Sequence, residues 1–173
     1  MHYGRVPQID PATWSLRIGG DTLDGDALTL SLDDIRSMPQ TDVRADHHCV
    51  SRHTTLDLLW SGVAAQSIVE LAPPADDVER VLVSAARGYS SSIRLEDLSS
   101  ARAVFATHLD GEPLTPEHGW PLRLVLPHLY GYKGPKWVGA VDYQRLPERG
   151  FWEQRGYHLG GDVWREERYS YQE

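Results

Sequence analysis

One cysteine stands in 173 residues, so the chain can form no internal disulfide and needs no oxidising compartment to fold. No apolar run approaches the roughly 20 residues that span a bilayer. The opening stretch, "MHYGRVPQIDPATWSL", has no apolar core of signal-peptide length and no paired arginines. Positive charge is in deficit: 17 Lys and Arg against 25 Asp and Glu give a formal net charge of -8. That balance excludes general affinity for nucleic-acid phosphates or anionic membranes, though not a small basic pocket for one anionic ligand. Repeats, low-complexity tracts and Gly/Ser linkers are missing too. A cytoplasmic protein with no nucleic-acid or membrane partner is expected, with residues 1–173 forming a single domain.

What is present is ordinary globular composition, 40% hydrophobic and 24% charged. "TWSLRIGG" alternates as a strand does, and "DALTLSL" reads as its partner across a Gly-Asp turn. "SLDDIRSMP" predicts a short helix with Ser31 as N-cap, Asp34 three residues on and Pro39 as the stop. "TDVRADHHCV" reads as extended. "SGVAAQSIVELAPP" predicts the best helix of the chain, closed by two prolines. "ERVLVSAA", "ARAVFATHL", "WPLRLVLP" and "KWVGAVDYQRL" read as strands, and "IRLEDLSS" as a turn of helix. The aromatic tail from Gly150 has no clear period and is expected to pack as a lid. Strands and helices mix without a βαβ rhythm, which predicts an α+β fold with a mixed sheet.

Two stretches carry chemistry. The first is "DHHCVSRHTTLDLLWSGV", Asp46 to Val63. On an extended strand His47 and Cys49 share one face and His48 the other, so "HHC" is no three-ligand site by itself. The histidines and Arg52 favour the thiolate, which serves equally as nucleophile or soft metal ligand. A lone cysteine is often an inert buried thiol, and a cysteine–histidine hydrolase is a further reading. The second stretch is "HGWPLRLVLPHLYGYKGPKWV", His118 to Val138. Gly131 and Gly134 allow close backbone approach, Lys133 and Lys136 add charge, and Arg123 offers a two-pronged donor. With the N–H groups of Gly134 and Lys136, this is an expected anion site. Its glycine spacing is not that of a Walker loop.

Together these stretches resemble the molybdopterin-binding domain of the sulfite oxidase family, in its small, heme-free, stand-alone form. The cysteine block is similar to D-x-H-C-V-T-x-W-S-x-x-D-x-x-W-x-G-V. The second block is similar to H-G-x-P-x-R-L-V-x-P-x-x-Y-G-x-K-(S/G)-x-K-W. "GYSSSIRLEDL" resembles a third block, and "GFWEQRGYHLGGDVWREERY" the ending of the stand-alone members. The four blocks stand in family order over nearly the whole chain.

The resemblance implies a sulfite oxidase-type fold and a molybdenum–pyranopterin oxidoreductase. Its expected activity is two-electron oxygen-atom transfer on a small substrate, a sulfite-like oxyanion or an S- or N-oxide. A non-catalytic molybdopterin carrier of the same fold is the alternative. Position by position, it implies Cys49 as the thiolate ligand to molybdenum and Tyr89 as a phenol facing the metal's oxo group. Ser84, His118, Arg123, Gly134, Pro135 and Lys136 become contacts to the pterin and its phosphate. An unidentified electron donor or acceptor is implied as partner. Departures stand at His53, where the family has Trp, at Thr54 and at Arg94.

Overall fold

The computed structural model describes residues 5–173 as two packed sheets with short helices. The first sheet holds β1 (Ser15–Gly20), β2 (Leu28–Ser31), β5 (Arg80–Ala85), β6 (Ser90–Arg94) and β10 (Val138–Gln144), in the order β2-β1-β10-β5-β6. Here β1 runs parallel to β10 and the other pairs are antiparallel, so the sheet is mixed. The second runs β3 (Gln40–His48), β4 (Thr54–Ala64), β7 (Val104–Leu109), β8 (Glu112–Pro113), with β9 (Arg123–Val125) also on β7. The helices α1 (Leu32–Ser37), α2 (Ala65–Leu71) and α3 (Leu95–Leu98) are short. None is long and apolar enough to cross a membrane. The α+β, mixed-sheet expectation therefore holds.

Local signals explain most elements. Ser31 caps α1: its hydroxyl accepts from the Asp34 N–H while the Asp34 carboxylate accepts from the Ser31 N–H. Such a reciprocal cap contributes about 1 kcal/mol. Leu16, Ile18, Val81, Val83 and Val141 of the first sheet bury against Ile35, Ile68, Phe105 and Leu124. Each such side chain contributes about 1.5–3 kcal/mol when fully buried. The opposite face of the second sheet holds a smaller cluster of Val43, Ala45, Trp60, Val104, Ala106 and Val125.

Two expectations are corrected. The helix predicted over "SGVAAQSIVELAPP" starts only at Ala65, because Ser61 to Ala64 complete the long strand β4 against β7. "IRLEDLSS" splits in the same way, since Ile93 and Arg94 pair with β5 before α3 begins. In both places pairing in a sheet overrides local helix preference. The tail from Gly150 packs as expected, in two short 3-10 turns with Trp152, Tyr157, Tyr169 and Tyr171 in ring contact.

Candidate functional site

Cys49 does not continue the strand. The chain turns back directly after His48: the Cys49 N–H donates to the His53 carbonyl at 2.8 Å and the Arg52 N–H to the Cys49 carbonyl at 3.0 Å. Arg52 takes a φ of 70° to close the turn, a left-handed conformation that non-glycine residues rarely hold. The half-buried thiol therefore sits on a hairpin tip between β3 and β4, not on an extended segment. Its sulfur lies 2.9 Å from the Ser51 hydroxyl, which in turn is 3.3 Å from His53 Nδ1. The tail secures the turn: Arg168 donates to the Val50 carbonyl and lies over the Tyr130 ring, 4.6 Å from its centre.

Strand alternation does send His47 and His48 to opposite sides. The His47 ring reaches Arg123, whose Nη2 is 3.3 Å from His47 Nε2. Burial first, then the charges of Arg123 and Lys136, pull the His47 pKa down to about 3. The imidazole is thus neutral and accepts the guanidinium's hydrogen bond.

Arg123 is the centre of this cluster. It is 5% exposed, donates to the His118 carbonyl at 3.3 Å and lies over the Trp60 ring at 4.8 Å. Its Nε is buried with no hydrogen-bond partner, and among the described residues no carboxylate forms an ion pair with it. Burial pulls its pKa down to about 10. Lys136 is drawn to about 8 by burial and then by Arg123, and its Nζ donates to the Glu117 carbonyl at 2.6 Å. His118 is lowered likewise by burial, Lys136 and Arg123. Four basic side chains thus converge, and the charge of Arg123 adds to burial in lowering the other three.

The rest of the predicted anion site is partly corrected. Lys133 turns inward: it is 1% exposed, with Nζ 2.6 Å from Glu153 Oε1 and also donating to the carbonyls of Ser92 and Leu159. It is a structural cation. The Gly134 N–H already donates to Gly131 at 3.2 Å, so it is no free donor to an anion. The two glycines accommodate protein rather than ligand. A Cβ at Gly131 would lie 2.6 Å from the His47 ring, and one at Gly134 would lie 2.5 Å from the Leu124 carbonyl oxygen. Pro135 is buried, its carbonyl accepting from the Leu124 N–H.

Ser84 sits half-buried on β5, and among the described residues its hydroxyl has no hydrogen-bond partner. Tyr89 lies within electrostatic reach of Arg123, but its hydroxyl donates to the Tyr132 carbonyl at 2.5 Å. Burial raises its pKa, so the phenol stays protonated. Arg94 is engaged by a two-pronged pair with Asp97 and by Glu96, and adds no free charge near Tyr89. His158 accepts from the N–H groups of Gly160 and Gly161, a structural role in the tail. His47 and Trp60 are the members that motif reading missed, although alternation already set His47 on the face opposite His48.

No three His, Cys, Asp or Glu side chains converge among the described residues to form a metal cage. The donor set is a single thiol at a turn and, separately, the buried Arg123 guanidinium with Lys136 beside it. This suits a soft metal that brings most of its own ligands on an anionic carrier.

Comparison with known proteins agrees. The model of the oxidoreductase molybdopterin binding domain family matches residues 3–152. The uncharacterized oxidoreductase YuiH of Bacillus subtilis is 37% identical over 172 residues, covering 99% of this chain and 86% of that protein. The mitochondrial sulfite oxidase of Homo sapiens is 26% identical over 180 residues; the match covers 88% of this chain but only 33% of the larger enzyme. The sulfane dehydrogenase SoxCD from Paracoccus pantotrophus superposes with a TM-score of 0.76 at 20% identity. That match covers 84% of this chain and 42% of the other, a likeness of fold.

Proposed function

The chain belongs to the molybdopterin-binding oxidoreductases of the sulfite oxidase family, and on that premise we propose that it transfers an oxygen atom to or from a small substrate. When bound, the molybdenum–pyranopterin supplies a two-electron redox couple and the oxo group. The chain's own residues supply the hold. Cys49 is the metal's protein thiolate, displayed on a tight turn. Arg123 and Lys136 neutralise the pterin phosphate, with His118 and Ser84 as polar contacts and Pro135 shaping the loop. Tyr89 is assigned to the substrate side as a protonated phenol whose oxygen can still accept a hydrogen bond. The electron partner is a separate molecule. The reading includes a cytoplasmic location, supported by a lone thiol that needs no oxidising compartment.

Arg123 carries this reading. A buried guanidinium with no carboxylate costs several kcal/mol in a folded chain, and a bound phosphate removes that cost. Metal and pterin analysis of gently purified protein tests it: about one molybdenum per chain with extractable pterin is expected. Cys49→Ser should keep pterin and lose molybdenum and turnover. Parental turnover in that variant would overturn the assignment of Cys49.

A further inference from the structure

The side of β3 away from Arg123 has no part in the scheme above, yet it holds a cavity of about 240 Å³. Arg44, Asp46 and His48 reach it from alternate positions of β3, while Val43 and Ala45 bury in the core and His47 meets Arg123. Asp57 of β4, Arg102 and Trp164 complete the walls used here. His48 is the residue before Cys49, so the end of β3 that carries the proposed metal ligand also forms one wall of this cleft.

Its chemistry is specific. The polar groups are held in place: Arg44 Nη1 is 3.1 Å from Asp57 Oδ1, Arg102 Nη2 donates to the Arg44 carbonyl at 2.6 Å, and Asp46 Oδ1 accepts from the Asp57 N–H at 2.9 Å. Two arginines and two aspartates leave no net charge. A phosphate meets the aspartates and an amine meets the arginines, whereas a neutral ring bearing both donors and acceptors satisfies both pairs. Trp164 sets its ring edge-on to His48, with centroids 5.6 Å apart and planes at 71°. It is also 75% exposed, so an aromatic face is open for stacking. The volume is close to the roughly 300 Å³ at which ordinary small-molecule sites begin. It takes a ring system and leaves any long tail outside.

We propose that this cleft binds a neutral planar heteroaromatic ring of the isoalloxazine class, a flavin that serves as the electron partner beside Cys49. A quinone head, with acceptors alone, would leave the aspartates unmatched; the imide edge of isoalloxazine supplies a donor between two acceptors. The inference rests on the molybdenum reading for its role but not for its binding site. As a donor, the dihydroflavin would give up two electrons to a metal held at Cys49 and two protons to water, and would depart as the oxidised ring.

The test is a fluorescence titration of riboflavin with the chain, carried out with and without bound pterin. Saturable quenching is expected in both, with FMN binding within about threefold of riboflavin because the tail lies outside. Trp164→Ala should weaken binding at least about tenfold, the size of a lost base–aromatic stack. Arg102→Ala should weaken it less, and Arg36→Ala, on exposed α1, not at all. Absence of saturable quenching, or full binding by both the Trp164 and Arg102 variants, overturns the site. So does FMN binding far more tightly than riboflavin, which would place the flavin phosphate on Arg123 and Lys136. Displacement of riboflavin by a short-chain quinone overturns the choice of ring. Molybdenum content is measured on the same samples, so a chain that holds metal but no riboflavin refutes this inference alone. A chain that binds riboflavin but never holds metal refutes the function proposed above instead.

Discussion

Lys133 directs its ammonium inward to the Glu153 carboxylate, while Lys136 on the same loop directs its own to a backbone carbonyl beside Arg123. Burial draws both to about pKa 8. They differ in what answers the charge. Lys133 is answered within the fold, by a carboxylate with no exposed side-chain surface. At Arg123 and Lys136 two cations lie within electrostatic reach of each other, with no such answer at Arg123. A buried cation with an internal partner is architecture; one without it indicates a ligand. Two lysines that look alike in a motif thus meet different surroundings.

The contrast is broken most forcibly from the Lys133 side. Glu153→Gln leaves a buried ammonium unpaired and should cost about 3–5 kcal/mol, read by urea unfolding; Lys133→Met combined with it should recover much of that loss. Arg123→Met should do the reverse. It leaves the cofactor-free chain no less stable, and weakens phosphate or pterin binding by about 2–5 kcal/mol, measured by calorimetry. A cofactor-free variant that unfolds early would mean Arg123 is structural after all.

Lys136 gives a pH signature. Its folded pKa of about 8 lies below the unfolded value of 10.5, so between them the unfolded chain holds the extra proton. Stability of the cofactor-free chain should therefore rise as pH climbs from 8 toward 10, while affinity for inorganic phosphate falls. Lys136→Met should flatten the phosphate trend in titrations and roughly halve the stability trend in melts, because Lys133, also near 8, contributes the same slope. Least in size, Tyr89→Phe removes one hydrogen bond to the Tyr132 carbonyl and should cost about 1 kcal/mol of stability. A much larger loss of turnover than of stability would sharpen its place on the substrate side.

Much of the fold was legible in the sequence. Alternation located β1 and its partner β2, apolar strand-like runs located β5, β7 and β10, and Ser31 with Asp34 marked the capped helix α1. Helix signals failed after Ser61 and at Ile93 because pairing with distant strands decides those segments, and no local window contains that partner. Cys49, Arg123 and Lys136 could be picked from their motifs. The inward turn of Lys133 could not, because its partner Glu153 lies in a tail with no period to read. The hairpin at Cys49 was hidden similarly: its tip, "VSR", contains neither glycine nor proline, and Arg52 takes the left-handed conformation that glycine would have announced.

The bond from Arg168 to the Val50 carbonyl joins the turn at Cys49 to a residue 118 positions later. During synthesis that turn lacks this brace until Arg168 has left the ribosome. Metal insertion would then follow the docking of the segment around Arg168 rather than precede it. Ribosome-bound chains lacking residues 160–173 should accordingly capture little or no molybdenum.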